Sequence, residues 1–216
     1  MARRKTVPPG VKPPEFEGSE KKQFKFLTKA QEEAWNLINE NDVVMLLGAS
    51  GAGKTQIATA WANLATSSKK YKQVIHTRPV VEAYESLGWL PGSVEEKLAP
   101  YMLPLQQCSS KTRGAGIEVK VIPLAYMRGI TMVDSIAILD EAQNCCYAQL
   151  KLFLTRFGHG SKMIICGDQD QADIKNSGLM EVYENLKDVP KVAAYFFKPE
   201  DTVRHPIVTQ ILKRLK

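Results

Sequence analysis

The chain has 216 residues, 44% of them hydrophobic and 24% charged, with a formal net charge of +6. No apolar run approaches the roughly 18–20 residues that span a bilayer. The first residues lack the apolar stretch of a secretory signal, so neither a membrane span nor a secreted chain is expected.

The four cysteines (Cys108, Cys145, Cys146, Cys166) have no metal-type spacing, and two are adjacent. A reducing, cytoplasmic compartment is the natural expectation. The positive charge is concentrated at one end. Residues 1–25 carry seven Lys or Arg against three Glu, together with Pro8, Pro9, Pro13 and Pro14. That composition predicts a flexible basic arm, suited to contacting phosphates or to keeping the chain soluble.

Helix and strand signals alternate from residue 26 onward. Thr28 and Gln31 have capping-box spacing, and Ala30, Ala34, Leu37 and Ile38 follow on one helical face. Val43 to Leu47 is a continuous apolar run, as in a strand buried on both faces. A glycine-rich turn leads into a helix from Lys54 to about Ala65, apolar nearly all round. Val74 to Thr77 predicts a strand, and residues 79–92 a loop. Ser93 to Glu96 opens a helix through Leu98, Tyr101, Met102 and Leu105, interrupted by Pro100 and Pro104.

A polar loop over 111–116 precedes a short strand from Ile117 to Ile122. Strands are also predicted at Ile136 to Leu139, Met163 to Cys166 and Val192 to Phe197. Leu150, Phe153, Leu154 and Phe157 mark one helix between them, and Leu179, Val182, Tyr183 and Leu186 another. A last helix follows Pro206. Strands separated by helices imply right-handed crossovers and a parallel sheet with helices on both faces. One α/β domain over 26–216 is expected.

The strongest chemical signal is Gly48-Ala49-Ser50-Gly51-Ala52-Gly53-Lys54-Thr55. It matches G-x-x-x-x-G-K-[ST], between a predicted strand and a predicted helix. Glycines let the backbone turn tightly and aim N–H groups at phosphate oxygens, and the helix N-terminus adds partial positive charge. Lys54 is suited to neutralise β- and γ-phosphate charge, and Thr55 to offer a hydroxyl to Mg²⁺. Asp140 and Glu141 end a buried strand, where a parallel sheet opens its site. Asp140 suits Mg²⁺, and Glu141 suits polarising an attacking water.

Gly167-Asp168-Gln169-Asp170-Gln171 ends the next strand. There a neutral amide such as Gln171 can sense a γ-phosphate. The same residues also suit a turn with an N-cap. Gln31 fits either adenine reading or the capping box, and Arg78 either a phosphate contact or a surface ion pair. Arg204, before the last helix, fits an arginine finger or a surface charge.

Together these residues resemble the PhoH-like ATPases, themselves similar to the first RecA-like core of superfamily 1 helicases. The likeness rests on segments in order: Leu27 to Gln31, Gly48 to Thr55, Thr77-Arg78-Pro79-Val80-Val81-Glu82, and Leu87-Gly88-Trp89-Leu90-Pro91-Gly92. Asp140 to Asn144, Gly167-Asp168 with Gln171, and Val203-Arg204-His205-Pro206 complete it. The Arg-Pro-x-Val-Glu and Leu-Gly-Trp-Leu-Pro-Gly segments are the most family-specific, while Tyr84 stands where the pattern often has Gly.

The resemblance implies a P-loop NTPase of RecA-like fold, binding ATP with Mg²⁺ and hydrolysing it. It also implies an RNA- or DNA-related role and ring-like homo-oligomers, often hexameric, in which Arg204 is a candidate for reaching a neighbour's γ-phosphate. The expectation is a minimal core, similar to short versions carried by bacteriophages and lacking the nuclease domain of fused members. The leading reading is an oligomeric ATPase acting on single-stranded RNA or DNA. The alternative is a nucleotide-gated assembly or stress-adaptor protein with no nucleic-acid substrate. A small-molecule kinase is disfavoured by Glu141, which transfer to an acceptor does not need.

Overall fold

The structure is a computed structural model describing residues 24–67, 70–80 and 118–203, with 207, 208 and 214. Most of the expected basic arm, the 81–116 loop and helix, and most of the last helix, including Arg204, lie outside the described residues.

In chain order the elements are α1 (Lys29–Glu40), β1 (Val43–Gly48), α2 (Lys54–Ser67), β2 (Gln73–Thr77) and β3 (Glu118–Val121). Then come β4 (Ser135–Leu139), α3 (Tyr147–Leu154), β5 (Lys162–Gly167), α4 (Leu179–Leu186) and β6 (Val192–Phe197). The six strands form one sheet in the order β3-β2-β4-β5-β1-β6. Every pairing is parallel.

Alternation along the strands fills two cores. Val44 and Leu46 of β1 face α1 and α2, with Ile136, Ile138 and Ile164 beside them. Met45 and Leu47 face the other way, toward Leu150 and Phe153 of α3 and Leu179 and Val182 of α4. Both sheet faces are therefore covered, which is why β1, β4 and β5 read as unbroken apolar runs. Trp35, Trp61 and Phe153 are the largest side chains removed from water. Truncating any of them to Ala costs about 3–5 kcal/mol.

Two expectations are corrected at the helix ends. Thr28 does cap α1, its hydroxyl accepting from the Gln31 backbone N–H at 3.2 Å. The box is not reciprocal, because the Gln31 side chain turns away from the Thr28 backbone. Its Oε1 accepts from Leu27 N at 2.8 Å, and its Nε2 donates to Ala52 O at 3.0 Å. The second correction concerns Phe157, expected on the buried face of α3. The helix stops at Leu154, the next residues close a tighter turn, and Met132 N–H takes the Arg156 carbonyl at 2.8 Å. Phe157 is left 39% exposed.

The topology places three strand ends together. Helix α2 carries the chain from β1 to β2, passing over β5 and β4. Leu47 lies level with Gly167 of β5, and Thr77 of β2 level with Leu139 of β4. The loops after β1, β4 and β5 therefore emerge at one rim, with β5 between the strands carrying the glycine-rich loop and the acidic pair. A crevice outside the carboxyl ends of parallel strands is where such sheets bind ligands.

Candidate functional site

The loop from Gly48 to Thr55 has the conformation its glycines predict. Gly48, Gly51 and Gly53 have φ of 99°, 84° and 88°. Two of them also answer to close approach. A Cβ on Gly48 would stand 2.2 Å from the Phe197 carbonyl oxygen, and one on Gly53 would stand 2.9 Å from Gln31 Nε2. Ala49 N donates to that Phe197 carbonyl at 3.0 Å, and Val203 N donates to Gly51 O at 3.0 Å. The loop is thus held from three sides, by α1 through Gln31, by the end of β6, and by the segment that follows β6.

Lys54 opens α2 and folds back over the loop. Its ammonium donates to the carbonyls of Gly48 at 2.6 Å and Ala49 at 3.0 Å. Burial pulls its pKa below the ordinary lysine value, while Asp168, Cys166, Glu141 and Asp140 push the other way. A phosphate taking the place of those carbonyls supplies the negative charge this half-desolvated cation lacks.

Thr55, one residue on, donates its hydroxyl to Asp140 Oδ1 at 2.7 Å. Asp140 is fixed from the other side, its backbone N–H donating to Thr77 O at 2.9 Å. Burial raises the Asp140 pKa, the Thr55 hydroxyl lowers it, neighbouring Glu141 raises it and Arg78 lowers it. A half-buried carboxylate beside a second carboxylate, hydrogen-bonded to a hydroxyl, is a donor set that fits a hard divalent cation. Among the described residues no group of three or more His, Cys, Asp and Glu is gathered to hold a metal unaided. The Thr55–Asp140 pair suits an ion that completes its shell with phosphate oxygens and water.

Glu141 sits in the left-handed region, at φ 53°. A non-glycine residue there is strained, and such strain clusters at functional sites. Its Oε2 accepts from Gln143 Nε2 at 2.6 Å. The other end of that amide, Oε1, accepts from Asp168 N at 3.0 Å. Asp168 starts the turn after β5, with its side chain accepting from Asp170 N at 3.2 Å and its carbonyl from Gln171 N at 3.0 Å. The turn role of this segment is therefore present together with its place at the rim.

Lys54, Thr55, Asp140, Glu141, Asp168 and Gln171 all line one cavity of about 190 Å³. A second recess of about 530 Å³ shares Glu141, Gln143 and Gln171 with it and is walled on the far side by Arg78, Asn144 and Asp173. Arg78 is half-buried, and its Nε is buried with no hydrogen-bond partner among the described residues. Gln31 does not line the phosphate cavity, and it reaches the site through Ala52.

Sequence reasoning gave no role to Gln143, which is 2% exposed and bridges two strand ends. Its signal was its place two residues after Glu141, in the same strand-end segment.

The described helices include none long and apolar enough to cross a membrane. Among the described residues, Cys145, Cys146 and Cys166 form no disulfide.

Comparison with known proteins agrees with this geometry. The fold is similar to that of the large terminase of a thermophilic bacteriophage, at a TM-score of 0.60 and 13% identity, over 89% of this chain and 51% of that one. A structure of that terminase in complex with ADP matches at 0.59, with 13% identity, over 88% and 50%. The likeness establishes the P-loop α/β fold. Among curated relatives, a PhoH-like protein of Bacillus subtilis (strain 168) is 43% identical over 204 residues, 89% of this chain and 64% of the relative.

A PhoH-like protein of Synechocystis sp. is 42% identical over 190 residues, 82% of this chain and 57% of the relative. Protein PhoH of Escherichia coli (strain K12) is 37% identical over 188 residues, 81% and 53%. The chain spans between about half and two thirds of the length of these relatives. The PhoH-like protein family model matches residues 23–216, and the chain belongs to that family.

Proposed function

We propose that this chain is a Mg²⁺-dependent ATPase that hydrolyses ATP to ADP and phosphate. The observation that carries the reading is the cavity itself. It brings Lys54, the hydrogen-bonded Thr55–Asp140 pair, Glu141 and Gln171 to one place from three separate strand ends. Lys54 exchanges the carbonyls of Gly48 and Ala49 for β- and γ-phosphate oxygens, and the backbone N–H groups of the loop take the rest of the charge. Thr55 and Asp140 hold Mg²⁺, which when bound offsets the charge of the phosphates. Glu141 orients a water for in-line attack and accepts its proton. Gln171 contacts the γ-phosphate without competing for the ion. Gln31 is the candidate for the adenine side.

The reading extends to oligomers and nucleic acid. A homo-oligomeric ring, hexameric in the family pattern, is the proposed assembly. Arg204 is then the candidate to complete a neighbour's site. The basic composition of residues 1–25 supports a salt-sensitive contact with single-stranded RNA or DNA.

ATP turnover measured with and without RNA and single-stranded DNA at low salt tests both parts. Turnover that nucleic acid stimulates, and that Lys54→Ala abolishes, is the expected result. Turnover unaffected by Lys54→Ala contradicts the site, and indifference to every nucleic acid leaves the adaptor reading in place of a nucleic-acid role.

A further inference from the structure

We propose that Gln143 is a positioning residue for hydrolysis, its side-chain amide bridging the Glu141 carboxylate to the backbone of Asp168 and so fixing where that carboxylate stands over the phosphates. The inference rests on the proposed role of Glu141. Three observations support it. Both ends of the amide are used, Nε2 on Glu141 Oε2 at 2.6 Å and Oε1 on Asp168 N at 3.0 Å. The side chain is 2% exposed, so neither bond has water to replace it. The amide lies close against the end of β5, where a Cβ on Gly167 would stand 3.3 Å from both Gln143 N and Gln143 Oε1.

The bridge compensates for the backbone of Glu141. A residue held at positive φ needs its surroundings to keep it there. On the main-chain side, Asn144 N donates to Glu141 O at 2.9 Å, and Asn144 is itself tied to Asp173 by two bonds of 2.8 Å. On the side-chain side the link is Gln143.

The same amide joins Glu141 to the turn that carries Gln171, because Asp168 offers its N–H to Gln143 and its carbonyl to Gln171 N. A γ-phosphate contact at Gln171 and the aim of Glu141 are thereby linked through one residue's backbone. The charged groups around Glu141 are Lys54, Asp140 and Asp168 in the phosphate cavity and Arg78, Asp170 and Asp173 in the adjoining recess. Substitution of Gln143 leaves all of them in place.

The test uses the full chain with two variants. Gln143→Glu keeps an acceptor for Asp168 N–H but puts a carboxylate against Glu141. Gln143→Leu removes both bonds at similar volume. Both are expected to bind a non-hydrolysable ATP analogue within about threefold of the parent and to lose about tenfold or more in kcat, the scale of one hydrogen bond to a charged group.

A kcat that stays at the parental value in both variants overturns the proposal. So does an equal loss of analogue binding and turnover with a lowered Tm, which marks a structural tie only. Glu141→Gln in the same assay separates the two levels. If it turns over ATP like the parent, the reading of Glu141 fails. If it is inactive while Gln143→Glu is parental, only the inference about Gln143 fails.

Discussion

His76, at the fourth position of β2, is completely buried, and neither ring nitrogen has a hydrogen-bond partner among the described residues. Burial pushes its pKa from 6.5 down to about 4. The folded value lies below the unfolded one. Between about pH 6.5 and 4 the unfolded chain therefore binds a proton that the native chain refuses, and stability falls as the pH falls through that window. Each pH unit there is worth up to about 1.4 kcal/mol, so from pH 7 to pH 5 this one residue removes about 2 kcal/mol.

The loss bears on the site, because the next residue, Thr77, holds the Asp140 backbone at 2.9 Å. His76→Leu removes the titration and two unsatisfied nitrogens at similar volume. Urea unfolding of parent and variant at pH 7, 6 and 5 is the assay. The variant is expected within about 1 kcal/mol of the parent at pH 7, or more stable, because replacing unpaired buried polar atoms by apolar ones is nearly neutral or favourable. Its advantage should then grow by about 2 kcal/mol at pH 5. Parallel pH dependence in the two proteins would refute the reasoning.

Lys162 supplies the parallel case at alkaline pH. It is 2% exposed, with its ammonium donating to the Ile38 and Asn41 carbonyls at the end of α1 and standing 4.9 Å from the Trp61 ring centre. Burial brings its pKa to about 7, so the unfolded chain holds the extra proton up to about pH 10 and stability rises with pH across that interval. Between pH 7.5 and 9 the parent is expected to gain about 2 kcal/mol from this group, and Lys162→Met to lose that slope in urea unfolding. Gly48→Ala places a Cβ 2.2 Å from the Phe197 carbonyl at a φ of 99°. It is expected to lose nucleotide-analogue binding by about tenfold or more in titration calorimetry, because strain of about 1–3 kcal/mol falls on the phosphate loop itself.

The parts of this structure legible in the sequence are those governed by local pattern. Val43–Gly48 reads as a buried strand because both of its faces are covered, and Gly48 to Thr55 reads as a phosphate loop because glycine alone tolerates its φ values. The parts that were not legible depend on long-range contact. Nothing near Phe157 announces that Met132 will take the Arg156 carbonyl and end α3 early. Gln31 has capping-box spacing, yet its Oε1 accepts from Leu27 N rather than Thr28 N, and its Nε2 reaches the Ala52 carbonyl, twenty-one residues on. Gln143 acquires its bridge only when β4 and β5 pair and bring Asp168 beside it. The strand ends that carry chemistry could be found from sequence, whereas the bonds that join them needed the sheet order.

The central claim is that Glu141 serves the chemical step while the loop and Lys54 serve binding. Its most direct test is Glu141→Gln followed by two readings on the same preparation, ATP-analogue affinity and ATP turnover at saturating Mg²⁺. Affinity within a few-fold of the parent and turnover lowered by about a hundredfold or more are expected, the scale of positioned general-base catalysis. Parental turnover, or binding lost in step with it, would contradict the account.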